Sequence, residues 1–325
     1  MIAIQPAFMA AKDIFFYFYG STNFLSKTQN LTKLTAMRKF PLLLLLFIAC
    51  FPALVFSQTE GKVFDNLSLS SKILKMDRKY AIYLPADYET SQRNYPVMYL
   101  LHGSGDDQSG WIQFGEVKNI ADKAIREGKC TAMIIVMPDG NTGQRGYFNS
   151  PKGDWNYEDF FFQELMPTVE KTYRIRTDKR YRAIAGLSMG GGGSFMYALH
   201  HPELFSAACP LSAYIGPISL EEASSRWETQ YPGISKESLT TYYYRHSALE
   251  LVKNMADDQK KAVRWYIDCG DDDFLYEGNS LVHIAMRKKE VPHEFRIRDG
   301  GHSWTYWREA LPTVLEFVSM GFHQN

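Results

Sequence analysis

The sequence predicts a doubly wound α/β fold, a mostly parallel sheet with helices on both faces, and three observations carry that expectation. Short apolar runs bounded by Gly, Asp or Pro recur along the chain: "VMYLLHG" (97–103), "AMIIVMPDG" (132–140), "YRAIAG" (181–186), "AACPLSA" (207–213) and "VRWYIDCG" (263–270). Continuous runs of this kind suit strands covered on both faces, whereas "KYAIYLP" (79–85) alternates. Between them, 117–129, 157–173 and 194–202 space their apolar residues as helices, and strands alternating with helices imply a parallel sheet.

Taken from the N-terminus, Met37-Arg38-Lys39-Phe40 precedes an apolar run from Pro41 to Phe56 and small Ser57. A basic start, an apolar centre and a small residue form the pattern of a secretory signal peptide. Sixteen residues broken by Pro52 are short for a spanning helix, which needs about 20. The expected organisation is therefore an over-extended N-terminus over 1–36, a signal peptide over 37–57, and one α/β domain over 58–325, secreted or periplasmic and without stable membrane insertion. "FIAC" ending at Cys50 offers a lipoprotein alternative.

Residues 1–57 hold five basic side chains against one acidic, so their removal takes the chain from net zero to 31 basic and 35 acidic, a charge of −4. That balance offers no phosphate-binding surface for nucleic acid. Cys130, Cys209 and Cys269 lie in or beside apolar stretches without CxxC spacing, as buried free thiols do. Within 157–173, Pro167 predicts a kink. Residues 214–255 exceed a simple crossover, and their Pro, Gly and Ser content with Trp227, Tyr231 and Tyr242–Tyr244 predicts an insertion over one end of the sheet, either a lid or a passive excursion.

The chemistry concentrates in "YRAIAGLSMGGGGSF" (181–195). Gly186-Leu187-Ser188-Met189-Gly190 is G-x-S-x-G between an apolar strand and a helical segment, the context of a nucleophile elbow. Such a turn strains Ser188 and brings its neighbours two residues away too close for side chains. The glycines therefore read as crowding around a nucleophile; a phosphate loop would end in Gly-Lys-Ser/Thr. A serine hydroxyl needs a base, and the base an orienting carboxylate, in the order Ser, Asp or Glu, His. Of eight histidines, His302 follows the last strand-like run behind two glycines, at the strand end where a base must stand. The acid comes from "YIDCGDDDFLY", where Asp271, Asp272 and Asp273 follow the strand; position alone does not choose among them, and the cluster lacks a Ca²⁺-loop ligand set. Oxyanion donors are expected at the amides of Met189 and of Ser104, in "LLHGSGDD", with His102 structural.

Together "YPVMYLLHGSGDD", "YEDFFFQELMPTVEKTYRI", "AIAGLSMGGGGSF", "CGDDDFLY" and "GGHSWTYW" resemble the esterase family of α/β hydrolases. That family includes S-formylglutathione hydrolase (esterase D), the feruloyl and acetylxylan esterases of carbohydrate esterase family 1, and mycolyltransferases. The likeness runs from about Tyr80 to Val318 and implies the α/β-hydrolase fold. It implies Ser188 as nucleophile, His302 as base and Asp273, the last acid before Phe274, as the orienting carboxylate, with Asp272 as fallback because of the unusual acid run. It also supports Ser104 and Met189 as oxyanion donors, and it implies acyl transfer without metal or organic cofactor.

An exported member of this family is expected to act on ester substituents, feruloyl or acetyl, of a polysaccharide such as xylan. Alternatives are an S-formylglutathione-type thioesterase or short-chain carboxylesterase, then a siderophore esterase or an acyltransferase; a glycan-binding module would be expected to lack part of the triad. Trp111, Trp155, Trp227 and Trp304, in loop-like segments, are candidate platforms for sugar or phenolic rings.

Overall fold

The computed structural model describes residues 60–140 and 146–323. The extension, the leader over 37–57 and Cys50 lie outside the described residues. Among the described residues eight strands form one sheet: β1 (Lys62–Ser71), β2 (Met76–Leu84), β3 (Val97–Leu101), β4 (Ile134–Pro138), β5 (Arg182–Leu187), β6 (Ala207–Leu211), β7 (Arg264–Gly270) and β8 (His293–Arg298), in spatial order β1-β2-β4-β3-β5-β6-β7-β8. β1 and β2 pair antiparallel, as do β2 and β4; every later pairing is parallel.

The continuous apolar runs are explained by two-sided coverage. Tyr99, Leu101, Ile134 and Val136 face one core, while Met98, Leu100, Met133, Ile135 and Met137 face the other. A strand of period two with both faces covered has no polar side to show. The first core takes side chains from α3 (157–172), α4 (Met189–His200) and α8 (Tyr276–Lys288), and the second from α2 (Val117–Arg126) and α9 (Trp304–His323); α1 (Gly110–Gln113) is one turn. The edge strand β1, "KVFDNLSLSS", went unpredicted because one of its faces is solvated and its alternation is weak. Pro167 does not break its helix. The ladder widens into a π turn over Phe161–Leu165, with Met166 donating to the Phe161 carbonyl, and Pro167 falls at the start of the next segment, where its missing N–H costs little.

The insertion is helical: α5 (Leu220–Gln230), α6 (Lys236–His246) and α7 (Ala248–Lys253). Its serines, which read as loop composition, are helix caps. Ser219, Ser235 and Ser247 accept the amides of Glu222, Ser238 and Glu250 at 3.1, 3.1 and 3.3 Å. Ala223, Trp227, Leu239 and Tyr243 form a small core between α5 and α6. Cys130, Cys209 and Cys269 are free and buried, and burial pushes the Cys130 and Cys269 thiols up to about 12. No described helix is long and apolar enough to cross a membrane.

Candidate active site

β5 ends where α4 begins, and Ser188 is the single residue between them, at φ 55° and ψ −116°. A non-glycine residue there is strained, and the surroundings over-determine it. The Ser188 amide donates to Leu211 O at 2.9 Å, and its carbonyl accepts from the amides of Gly192 and Tyr214, both at 3.0 Å. The helix starts at Met189, not at Ser194 as its apolar spacing suggests, so the four glycines are its first turns. A Cβ on Gly190 would lie 2.5 Å from His102 O, and one on Gly192 2.1 Å from Tyr214 O. Glycine weakens a helix by about 1 kcal/mol per residue; backbone packed against backbone leaves no alternative here.

The Ser188 Oγ lies 2.9 Å from His302 Nε2, and His302 Nδ1 lies 2.9 and 3.0 Å from the two Asp273 oxygens. The acid left open among three is thereby placed: Asp273 is fully buried while Asp271 and Asp272 are exposed. Burial alone would raise the Asp273 carboxyl; hydrogen bonds from His302, the Leu275 amide and the Ser212 hydroxyl outweigh it and hold the group below its ordinary range. Asp271 has a different task, accepting the Gly300 amide at 3.0 Å and so pinning the loop that carries His302.

Sequence reasoning missed Trp307. Its indole N–H donates to Ser212 Oγ at 3.0 Å, and its ring meets the His302 imidazole edge-on at 4.9 Å.

Ser104 and Met189 line the same cavity as Ser188. As the first residue of α4, Met189 has an amide with no intrahelical acceptor. His102 is buried, and burial lowers its pKa. Its Nε2 accepts the Gly140 amide at 2.8 Å, which leaves the proton on Nδ1 to be donated to Gly103 O at 2.9 Å. A trans peptide points its C=O and N–H in opposite directions, so holding the Gly103 carbonyl fixes the direction of the Ser104 N–H.

The cavity over Ser188 measures about 450 Å³, and its walls include Phe148, Tyr214, Trp227, Tyr231, Tyr242 and Phe274. The insertion therefore supplies one wall. Of the four tryptophans expected as platforms, Trp227 alone lines this cavity. Trp111 is fully buried with its indole N–H on Leu101 O at 3.0 Å, because it packs beneath the loop that starts with His102. Trp155 is 4% exposed and donates to Gly146 O at 2.8 Å, lining a neighbouring cavity. Trp304 stands edge-on to Trp111 and Trp307 at 5.2 and 5.3 Å. Trp111 and Trp155 are core and Trp304 is half-buried against Trp111, while three of the six rings named in the cavity wall are tyrosines. Tyr231 and Tyr242 were visible in the insertion; Phe274 was visible only as the neighbour of the acid.

The family model described as "Putative esterase" matches residues 71–318. An esterase of Mycobacterium tuberculosis is 39% identical over 249 residues, covering 68% of this chain and 51% of the relative, so this chain spans about half the length of that protein. An endo-1,4-beta-xylanase/feruloyl esterase of Xylanibacter ruminicola is 37% identical over 133 residues, 38% of this chain and 18% of the relative. Among solved structures, a ferulic acid esterase superposes with a TM-score of 0.71 at 39% identity, covering 81% of this chain and 99% of that one.

Proposed function

The chain belongs to the esterase family matched over 71–318 and is a serine ester hydrolase with the α/β-hydrolase fold; from that premise we propose that it is an exported carboxylesterase that removes feruloyl groups from plant polysaccharide such as xylan. The observation that carries the substrate reading is the aromatic cavity of about 450 Å³ above Ser188. A phenylpropenoyl group has Trp227, Tyr231 and Tyr242 in the cavity wall to lie against, whereas an acetyl group leaves most of that space without contacts. The likeness to a ferulic acid esterase at 39% identity points the same way.

In this reading Ser188 attacks the ester carbonyl as His302 Nε2 takes its proton, and Asp273 stabilises the imidazolium. The amides of Ser104 and Met189 receive the oxyanion. His302 then protonates the leaving alcohol, and a water activated by the same nitrogen releases the acid. The elbow holds the Ser188 hydroxyl at the cavity beyond the strand end, and its hydrogen bond to His302 Nε2, already made at 2.9 Å, means little reorganisation precedes attack.

Export by the leader over 37–57 accompanies this proposal; N-terminal sequencing and intact mass of the native protein distinguish cleavage near Gln58 from lipidation at Cys50. The function is tested with methyl ferulate, acetylated xylo-oligosaccharide, p-nitrophenyl butyrate and S-formylglutathione, with Ser188→Ala as blank. Highest kcat/KM on the ferulate, abolished in the variant, is the expected result. A preference for the acetyl or glutathione substrate overturns the feruloyl assignment, and rates equal to the blank on all four overturn hydrolysis.

A further inference from the structure

The cavity accounts for an acyl group and leaves the other half of an ester unplaced. Acyl transfer constrains where that half goes. The Nε2 that takes the serine proton must hand it to the oxygen that leaves, so the alcohol stands on the side of Ser188 occupied by His302.

Among the described residues, two rings lie against His302: Trp307, buried behind the base, and Phe274, which is open to solvent. Phe274 sits 4.5 Å from the His302 imidazole, centroid to centroid, and is 71% exposed, the highest value among the large apolar side chains described. Scattered exposed apolar residues are ordinary, but this one is held by the catalytic loop itself. Asp273 is turned fully inward and accepts the Leu275 amide at 2.8 Å, while Phe274 between them faces solvent at the cavity edge. Tyr276, two residues on, is 56% exposed.

The charge nearby narrows the occupant. Carboxylate oxygens of Asp271, Asp272 and Asp299, all exposed, lie within 4.8 Å of one another, on the two loops that carry Asp273 and His302. Like charges so placed disfavour an anionic leaving group. An uncharged polyol meets no such penalty, and the C–H face of a sugar ring stacks on an exposed aromatic face.

We propose that the exposed face of Phe274, beside His302 and rimmed by Asp271, Asp272 and Asp299, is the subsite for the leaving alcohol and takes a neutral sugar. This rests on the reading of the site as a feruloyl esterase. When the acyl carbon–oxygen bond breaks, its electron pair stays with the sugar oxygen, which receives the proton from His302 Nε2, and the acyl group remains as an ester on Ser188.

The test varies the alcohol and holds the acyl group constant. For wild type and Phe274→Ala, kcat/KM is measured on feruloyl-arabinose and on methyl ferulate. The expected result is a fall of about tenfold in the sugar-to-methyl ratio, carried by KM, as loss of one aromatic contact gives; Phe274→Tyr keeps the ratio. A ratio unmoved by Phe274→Ala overturns the subsite while leaving the esterase reading intact. A charge arm compares methyl ferulate with the carboxymethyl ester of ferulic acid: Asp272→Asn raises the relative rate on the carboxymethyl ester about two- to threefold, and no rise overturns the acidic rim. If neither ferulate ester is cleaved above the Ser188→Ala blank, the esterase reading fails and the subsite with it.

Discussion

The elbow and the insertion both line the cavity over Ser188, yet they are built on different terms. At the elbow, backbone meets backbone. The helix start lies against the carbonyls of His102 and Tyr214, and the strained Ser188 is held by hydrogen bonds on both sides. The insertion caps its three helices with serines; α5 and α6 share a four-residue core, α7 buries Ala248, Leu249 and Val252 in the main core, and tyrosines such as Tyr242, whose hydroxyl donates to Asn149 O at 3.0 Å, reach the rest of the site. The contrast teaches that reaction geometry is set where nothing can yield, and substrate fit where side chains can adjust. Perturbing the first region should remove catalysis or the fold; perturbing the second should change what is bound.

The largest effect is expected at Asp273. Asp273→Asn leaves the shape of the loop but lets the amide settle His302 in the wrong tautomer, and kcat on methyl ferulate falls about 10⁴-fold. A loss under tenfold would mean that the two Asp273 contacts to His302 Nδ1 do not govern the base. Gly190→Ala tests the rigidity claim directly. Its methyl group would lie 2.5 Å from His102 O and 2.6 Å from Leu101 O, neither the end of a flexible side chain. A destabilisation of about 3 kcal/mol is expected in urea unfolding, and an unchanged midpoint would show that the elbow can give way.

The same contrast explains what the sequence disclosed. Ser188, His302 and the glycines were legible because close backbone approach admits one residue type, and strand-to-helix context sufficed to place them. The buried strands were legible because two covered faces leave no polar position. Asp273 was not separable from Asp272 by position, since the choice depends on which carboxylate the turn buries. Trp111 and Trp304 misled because a tryptophan in a loop-like stretch says nothing of which side of the loop it faces; packing beneath the loop at His102 decided it. The insertion's serines were visible, but composition does not distinguish a cap from a loop, and its helices emerged only with Ser219, Ser235 and Ser247 in place.

A pH experiment sharpens the comparison on the insertion side. His246, on α6 and in the cavity wall, has its pKa pushed down to about 4, chiefly by burial. Its ring stacks on Tyr242 at 3.9 Å and meets His200 and Phe148 edge-on at 5.6 and 5.7 Å; its Nδ1 donates to Tyr242 O. The charges that bear on it are Glu158, Arg245 and His200. An unfolded histidine titrates near 6.5. The unfolded segment therefore binds more protons than the folded one between about pH 6.5 and 4, and the helix loses stability as pH falls through that window, by up to about 3 kcal/mol. Hydrogen exchange over 236–246, corrected for the intrinsic pH effect, should show reduced protection at pH 4.5 relative to pH 7, and less of that change in His246→Phe. Equal protection at both pH values would sink the idea, as would an identical change in the variant.

The smallest effect belongs to Gly233, and it separates the two regions most cleanly because this glycine is crowded by nothing. A Cβ there meets no atom within 4 Å, but φ is +88°. Tyr231-Pro232-Gly233-Ile234 joins α5 to α6, with the Ile234 amide donating to Tyr231 O at 3.2 Å. Proline second and a positive-φ glycine third are the requirements of a type II turn. Gly233→Ala should cost about 1 kcal/mol through backbone strain alone, and Gly233→Asn, which tolerates that region better, less. Tyr231 begins the turn and lines the cavity, so the alanine variant should raise KM for methyl ferulate more than it lowers kcat, with asparagine intermediate. If alanine instead lowers kcat with KM unchanged, the turn acts on Ser188 and His302 rather than on acyl fit, and the division between a rigid elbow and an adjustable wall fails at its most exposed point.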